Sequence, residues 1–279
     1  IRGVIMAYKT LVLDLDGTLT NSEKKISKKT KSAIMNIQDM GIRVILASGR
    51  SDYGMKHIAK ELELAKYNSY MISFNGARIR DLHNDKLLYE QNIDPKLYPE
   101  IFKLWKEYNV NILTYNKEIN KMYTADAKDI YAIIDAQINN YIPLVELKDF
   151  AREVDFPVAK FLFMQDPIKL EWVEKDMQRR MGDRLDIYRS ESCFLEVMPK
   201  GVNKGNALKT LAEIAGLDPE EMIACGDSFN DMSMIEFAGL GVAMEEAVDE
   251  LKKSADHVTG SNDDDGIVDV IEKFILNDM

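Results

Sequence analysis

The sequence predicts an α/β protein: a parallel-sheet core that carries an inserted α+β domain. Three observations predict it. Near the N-terminus, apolar runs of strand length alternate with segments of helical period, the β-α-β-α-β order of a parallel sheet. The same alternation returns after about residue 200. Between the two, from about Asp94 to Glu191, helices alternate with pairs of strands, the order of a mixed or antiparallel module. The expected boundaries are 6–83 and 191–279 for the core and 84–190 for the insert. Met6 is expected as the native start, with the five preceding residues an extension outside the fold.

The elements follow in order. Thr10-Leu11-Val12-Leu13 is an unbroken apolar strand that turns polar at Asp14. Ser27 is a helix cap, Ala33, Ile34 and Ile37 form one apolar face, and Gly41 stops the helix near Met40. Ile42 to Ala47 is a strand, Tyr53 to Leu62 a helix, and Tyr70 to Phe74 a strand ending at Asn75-Gly76. In the insert, Pro95 to Tyr108 is an amphipathic helix, and Val110–Tyr115 pairs with Lys121–Thr124 across Asn116-Lys117-Glu118. A helix at Asp129–Asn140, strands at Leu144–Leu147 and Val158–Met164, a helix at Pro167–Met181 and two further strands complete it. The core resumes with a helix from Lys204 to Ala215. Asp218-Pro219-Glu220-Glu221 reads as a helix start, with Asp capping and Pro at the first position. Strands at Met222–Cys225 and Leu240–Met244 flank a helix at Met232–Ala238, and Ile267 to Leu276 is the last helix.

Composition narrows the function classes. The 279 residues are 46% apolar and 30% charged, with 15 Gly and 7 Pro, which excludes a disordered or collagen-like chain. Lys and Arg number 36 against 47 Asp and Glu, a net charge of −11, so neither nucleic acid nor an anionic membrane surface is an expected partner. Apolar runs such as Lys160-Phe161-Leu162-Phe163-Met164 are far below the roughly 20 residues a membrane span needs, and no secretory leader is expected. Two cysteines, Cys193 and Cys225, make no disulfide framework, so a reducing, cytoplasmic setting is expected.

The chemistry gathers where core strands end. Asp14-Leu15-Asp16-Gly17-Thr18, Ser48-Gly49-Arg50 and Gly226-Asp227-Ser228-Phe229-Asn230-Asp231 follow strands, and Lys200-Gly201-Val202-Asn203-Lys204-Gly205 precedes a helix. In open α/β sheets the carboxyl edge is where ligands bind. Four carboxylates there, Asp14, Asp16, Asp227 and Asp231, repel unless paired. A hard divalent cation with oxygen ligands resolves this, and Mg2+ suits few carboxylates plus substrate phosphate. With the Ser48 hydroxyl and the Lys204 ammonium, these are parts for holding a phosphoryl group. One carboxylate can attack phosphorus, and a second two residues on can protonate the leaving oxygen and then activate water.

Asp14-Leu15-Asp16-Gly17-Thr18 resembles the first signature of the haloacid dehalogenase-like superfamily of phosphohydrolases. Ser48, Lys204 and Gly226–Asp231 stand where its second, third and fourth motifs are expected, in the family's order. The insert is similar to the type II cap of the Cof-like subfamily, as are the phrases Asn75-Gly76-Ala77, Met198-Pro199-Lys200-Gly201 and Ala238 to Met244. The resemblance spans Met6 to the C-terminus and implies a Rossmann-like core with an α+β cap. It implies Asp14 as nucleophile and Mg2+ ligand, and Asp16 as general acid/base whose backbone carbonyl also binds the metal. It implies Asp227 as a second carboxylate ligand, and Asp231 as the group that orients metal waters or Lys204. Ser48 and Lys204 would hold phosphoryl oxygens, and Asn230 would reach the phosphate or Lys204. Two departures are visible: Asn203 precedes Lys204 where Ser is more usual, and Glu246 stands where Asn is frequent.

The implied reaction is Mg2+-dependent hydrolysis of a small phosphorylated metabolite, such as a sugar phosphate or pyridoxal phosphate, through an aspartyl-phosphate. Cap and core would close over the substrate. A phosphosugar mutase on the same scaffold and a non-catalytic metabolite-binding protein are the alternatives, distinguished by product analysis and by turnover. Lys200 competes with Lys204 as the functional lysine. Arg50 reads as a structural partner, Thr18 as a turn residue, Cys225 as an apolar filler, and Asp263-Asp264-Asp265 as a solvated turn. His57, His83 and His257 have no partners at ligand spacing.

Overall fold

A strand with no polar break has to be buried on both faces, and this requirement organises the core. In the computed structural model, which describes residues 8–116 and 118–276, β1 (Thr10–Leu13) is buried along its whole length. Met6 and Lys117 lie outside the described residues. The chain divides into two compact units, one of described residues within 1–49, 58–89 and 203–279, the other of 50–57 and 90–202.

The first unit contains α1 (Lys28–Asp39), β2 (Arg43–Ala47), β3 (Tyr70–Ser73), β4 (Arg78–Asp81) and β5 (Lys86–Glu90), and α2 (Asp52–Glu61) has residues 52–57 in the second unit and 58–61 in the first. After the second unit come α7 (Lys204–Ala215), β12 (Met222–Gly226), α8 (Met232–Phe237), β13 (Leu240–Ala243), α9 (Asp249–Ser254), β14 (His257–Val258) and α10 (Gly266–Ile271). Its sheet runs β14-β13-β12-β1-β2-β3-β4-β5. The pairs from β14 to β3 are parallel, and β4 turns antiparallel to β3. The register sets Leu13 beside both Leu46 and Cys225, so the three central strands end level with one another. Val12, Ile45 and Ile72 of the sheet pack with Leu208 and Leu211 of α7 and Met234 of α8; full burial of each such side chain is worth about 2 kcal/mol.

Two expectations change. The helix start at Asp218-Pro219 yields only the 3-10 turn Pro219–Glu221, because the strand register with β1 begins at Met222. The Asp218 carboxylate still accepts from the Glu220 amide at 3.0 Å. The Asp263-Asp264-Asp265 run is more than a solvated turn. Asp263 accepts from the Ser22 amide and hydroxyl at 2.8 and 2.6 Å, and Asp265 accepts from the hydroxyls of Ser27 and Thr30. Ser27 meanwhile caps α1 through the Thr30 amide at 3.0 Å.

The second unit holds α3 (Tyr98–Tyr108), β6 (Asn111–Tyr115), β7 (Met122–Thr124), α4 (Ile130–Ile138), β8 (Leu144–Glu146), α5 (Phe150–Glu153), β9 (Phe161–Met164), α6 (Pro167–Met181), β10 (Leu185–Glu191) and β11 (Phe194–Pro199). Its sheet order is β10-β11-β9-β6-β7-β8, antiparallel except between β7 and β8. Alternation sorts the faces: Ile112, Phe161, Phe163, Leu195 and Val197 join Leu104 of α3 and Leu170 of α6 in an apolar core.

The alternate positions carry Tyr115, Lys160 and Glu196, all buried. Lys160 Nζ lies 2.9 Å from Glu196, and the Tyr115 hydroxyl donates to Asp135 of α4 at 3.4 Å. Burial pushes the Asp135 carboxyl up to about 6; Glu196 adds to this, while Lys160, the Tyr115 hydroxyl and Arg50 oppose it. A carboxyl raised in the folded state contributes fully below its unfolded value near 4 and loses that contribution as pH rises through about 6. The protein is therefore expected to lose about 1.4 kcal/mol of stability from this group between pH 5 and pH 8. Urea denaturation of the wild type and Asp135→Asn at the two pH values checks it, and an unchanged slope in the variant contradicts it.

Candidate active site

The level strand ends bring the polar clusters of the first unit together. Asp14 is the first residue past β1, and its amide donates to the Cys225 carbonyl at 3.1 Å. Ser48 is the first residue past β2, buried, with its amide on the Ile72 carbonyl at 3.0 Å. Asp227 is the first past β12. β1 has β12 on one side and β2 on the other, so chain direction through the sheet switches there, the place where open α/β sheets form a crevice.

Lys204 opens α7, whose Asn203 cap accepts from the Asn206 amide at 2.8 Å. Its side chain is fully buried, and Nζ donates to Asp14 Oδ1 at 2.6 Å and to Asp231 Oδ1 at 2.5 Å. A buried ammonium costs several kcal/mol unless its charge is met. Burial works against the charge, but the two carboxylates outweigh it and hold the ammonium above its ordinary value. Lys200, the competing lysine, is half-exposed, belongs to the second unit, and pairs with Asp186 at 2.9 Å.

Asp231 has both oxygens engaged, Oδ1 by Lys204 and Oδ2 by the amides of Asp227 and Ser228 at 3.0 Å each. The Ser228–Asp231 capping box fixes that turn. Close approach is possible because residue 226 is glycine: a Cβ there would lie 2.4 Å from Asp231 Cβ. Gly17 makes the matching allowance on the other side. It has φ +85°, and a Cβ would sit 2.6 Å from Asp227 Oδ2. Thr18, read from sequence as a turn residue, also donates its hydroxyl to Asp227 Oδ1 at 3.1 Å. The Asn230 amide donates to Asn75 Oδ1 at 3.0 Å, on the 3-10 turn that follows β3.

The electrostatics of the cluster are unbalanced. Asp14, Asp227 and Asp231 present carboxylate oxygens within 4.8 Å of one another, with one ammonium, Lys204, hydrogen-bonded among them. Burial raises Asp14 well above its ordinary value, with Asp231 and Asp227 adding and Lys204 opposing. Burial also pushes Asp227 up to about 6, helped by Asp231 and opposed by the Thr18 hydroxyl. Uncompensated, close-set oxygens of this kind fit a divalent cation. Asp14 and Asp227 have oxygens suited to it, whereas those of Asp231 are committed to Lys204 and the backbone. The Asp16 carboxylate stands outside the three-oxygen cluster, 2.8 Å from the ammonium of Lys24, a residue the sequence reading did not single out.

The sequence and the fold both have close relatives. The haloacid dehalogenase-like hydrolase family matches residues 11–271. A Bacillus subtilis protein named 5-amino-6-(5-phospho-D-ribitylamino)uracil phosphatase YcsE is 30% identical, over 96% of this chain and 96% of its own. The crystal structure of a haloacid dehalogenase-like hydrolase from Bacteroides thetaiotaomicron superposes with a TM-score of 0.90 at 39% identity, covering 95% of this chain and 99% of that one. A Thermotoga maritima structure gives a TM-score of 0.83 at 30% identity, over 95% and 97%. No helix among the described residues is long and apolar enough to cross a membrane. The chain belongs to the haloacid dehalogenase-like hydrolases, and it is a phosphatase.

Proposed function

We propose that the protein is a Mg2+-dependent phosphatase of small phosphorylated metabolites that works through an aspartyl-phosphate. The observation that carries the reading is the buried ammonium of Lys204 bridging Asp14 and Asp231 beside Asp227. Asp14 is the nucleophile: its oxygen attacks phosphorus while the bond to the leaving oxygen breaks. Asp16 protonates that oxygen and then takes a proton from the water that cleaves the aspartyl-phosphate. Lys204 and Ser48 hold the phosphoryl oxygens, with Asn230 beside them, and Asp231 keeps Lys204 in place. Asp14, the Asp16 carbonyl and Asp227 would hold the cation, which would supply charge neutralisation for the phosphoryl group and for the crowded carboxylates.

The substrate class rests on weaker support. The name of the Bacillus subtilis relative describes a phosphorylated ribityl compound, in keeping with a sugar phosphate or similar small ester. The insert expected at 84–190 acts as the cap that sets this specificity. The two free cysteines accord with a cytoplasmic setting.

Phosphate release from a panel of metabolite monoesters tests the reading. Release is expected with Mg2+, to stop with EDTA, and to fall about a thousandfold or more in Asp14→Asn. Release that persists in Asp14→Asn overturns the nucleophile; isomerised ester without free phosphate favours a mutase. Gly17→Ala is expected to lower kcat by about a hundredfold or more through displacement of Asp227. A variant within threefold of wild type would show that the Gly17–Asp227 approach is dispensable.

A further inference from the structure

The turn after β3 is held in costly backbone. Phe74 has φ +51° and Asn75 φ +53°, and Gly76 follows at φ +107°. Left-handed backbone suits Gly and is tolerated by Asn, but it is unfavourable for a bulky residue such as Phe. Phe74 and Asn75 are also buried. Strain of this kind persists only where the surroundings over-determine it.

Those surroundings are three of the segments that form the candidate site. The Asn75 amide donates to the Ser48 carbonyl at 3.0 Å. The Asn75 side chain lies flat against Gly49: a Cβ on Gly49 would sit 3.1 Å from its Oδ1 and 3.2 Å from its Nδ2. Asn75 Oδ1 accepts from Asn230 Nδ2 at 3.0 Å. Gly76 lies against the start of α7, where a Cβ would stand 2.4 Å from the carbonyl oxygen of Asn203, the cap ahead of Lys204. The chain past β2, the turn past β12 and the cap of α7 are therefore gauged against one turn.

We propose that Asn75 is a positioning residue for Asn230 and, through it, for the phosphoryl group. An asparagine side chain can present its oxygen or its nitrogen. The Asn75 Oδ1 acceptor selects the nitrogen of Asn230 and fixes where it points. Contact with the bare Gly49 keeps the Asn75 amide in place. One N–H of Asn230 is spent on this tether, and the second donates to a phosphoryl oxygen, a charge-assisted bond. Asn75 acts only through Asn230 and exchanges no proton. The inference rests on the phosphatase reading above.

The test asks whether the two asparagines act as one. Glycine accepts left-handed backbone, so Asn75→Gly keeps the turn and its amide bond to Ser48 while deleting the tether, with the melting temperature as the control. With Mg2+ present, Asn75→Gly is expected to raise the inhibition constant of inorganic phosphate about tenfold, and to lower kcat/KM for the fastest ester of the panel by a similar factor. Asn230→Ala is expected to do the same. The double variant is expected to stay within about threefold of Asn230→Ala alone, whereas independent effects would multiply to about a hundredfold. Gly49→Ala leaves residue 75 untouched and crowds its amide instead. It is expected to weaken phosphate inhibition too and to add nothing to Asn230→Ala, and it carries the test if Asn75→Gly melts early. Multiplied losses in the double variants, or a fall in kcat/KM with phosphate inhibition unchanged, overturn the positioning role. A wild type inert towards every ester in the panel overturns the phosphatase reading instead, and the role of Asn75 with it.

Discussion

A single buried ammonium sets the terms for the first unit. Lys204 has lost its water completely, and two carboxylates stand in for it. Removing the ammonium would leave the buried carboxylates Asp14 and Asp231 uncompensated, a loss of about 3–5 kcal/mol. The demand fixes three chain segments at once: the end of β1 that carries Asp14, the turn after β12 that carries Asp231, and the first residue of α7. Other features follow from it. Asp231 is steadied by two backbone amides, and Gly226 is bare so that Asp231 can lie against it. The same arrangement places more negative than positive charge in one spot, a balance that suits a divalent cation.

Much of this was legible in the sequence because the signals are local. An unbroken apolar run followed at once by Asp14, and another followed by Gly226-Asp227, marks buried strands with acidic ends. Ser27 and Gly41 bound α1 by capping chemistry that acts within a turn. The spacing from Asp227 to Asp231 is legible for the same reason, since one turn of chain joins them.

What escaped reading depends on partners remote in sequence. Asp263 and Asp265 look like solvent-facing acids until the loop from Thr20 to Ser27 is laid against them. Thr18 looks like a turn residue, and its hydroxyl finds Asp227 only because β1 and β12 are neighbours. Lys24 gives no sign in its own neighbourhood, where Glu23 is the nearer acid. Asp218-Pro219 carries a true helix-start signal, and pairing with β1 from Met222 onward overrides it after one turn. β4 and β5 were missed for a related reason: Arg78–Asp81 and Lys86–Glu90 lie at the sheet's end, are only partly buried, and lack the clean apolar run of a central strand.

The strand order also has a consequence for the order of events in biosynthesis. β1 is made well before one of its two neighbours, β12, which follows the whole second unit in the chain. Asp14 meets Lys204 across 190 positions of chain. The intervening residues of the second unit have their own sheet and apolar core and pair among themselves. A ribosome moving from the N-terminus therefore delivers a complete set of contacts to the insert before it completes the core. Until the C-terminal strands emerge, β1 exposes an apolar edge and Asp14 has no ammonium beside it. Truncated products then carry a paired insert on an unclosed sheet, a form with an open strand edge and hence prone to aggregate.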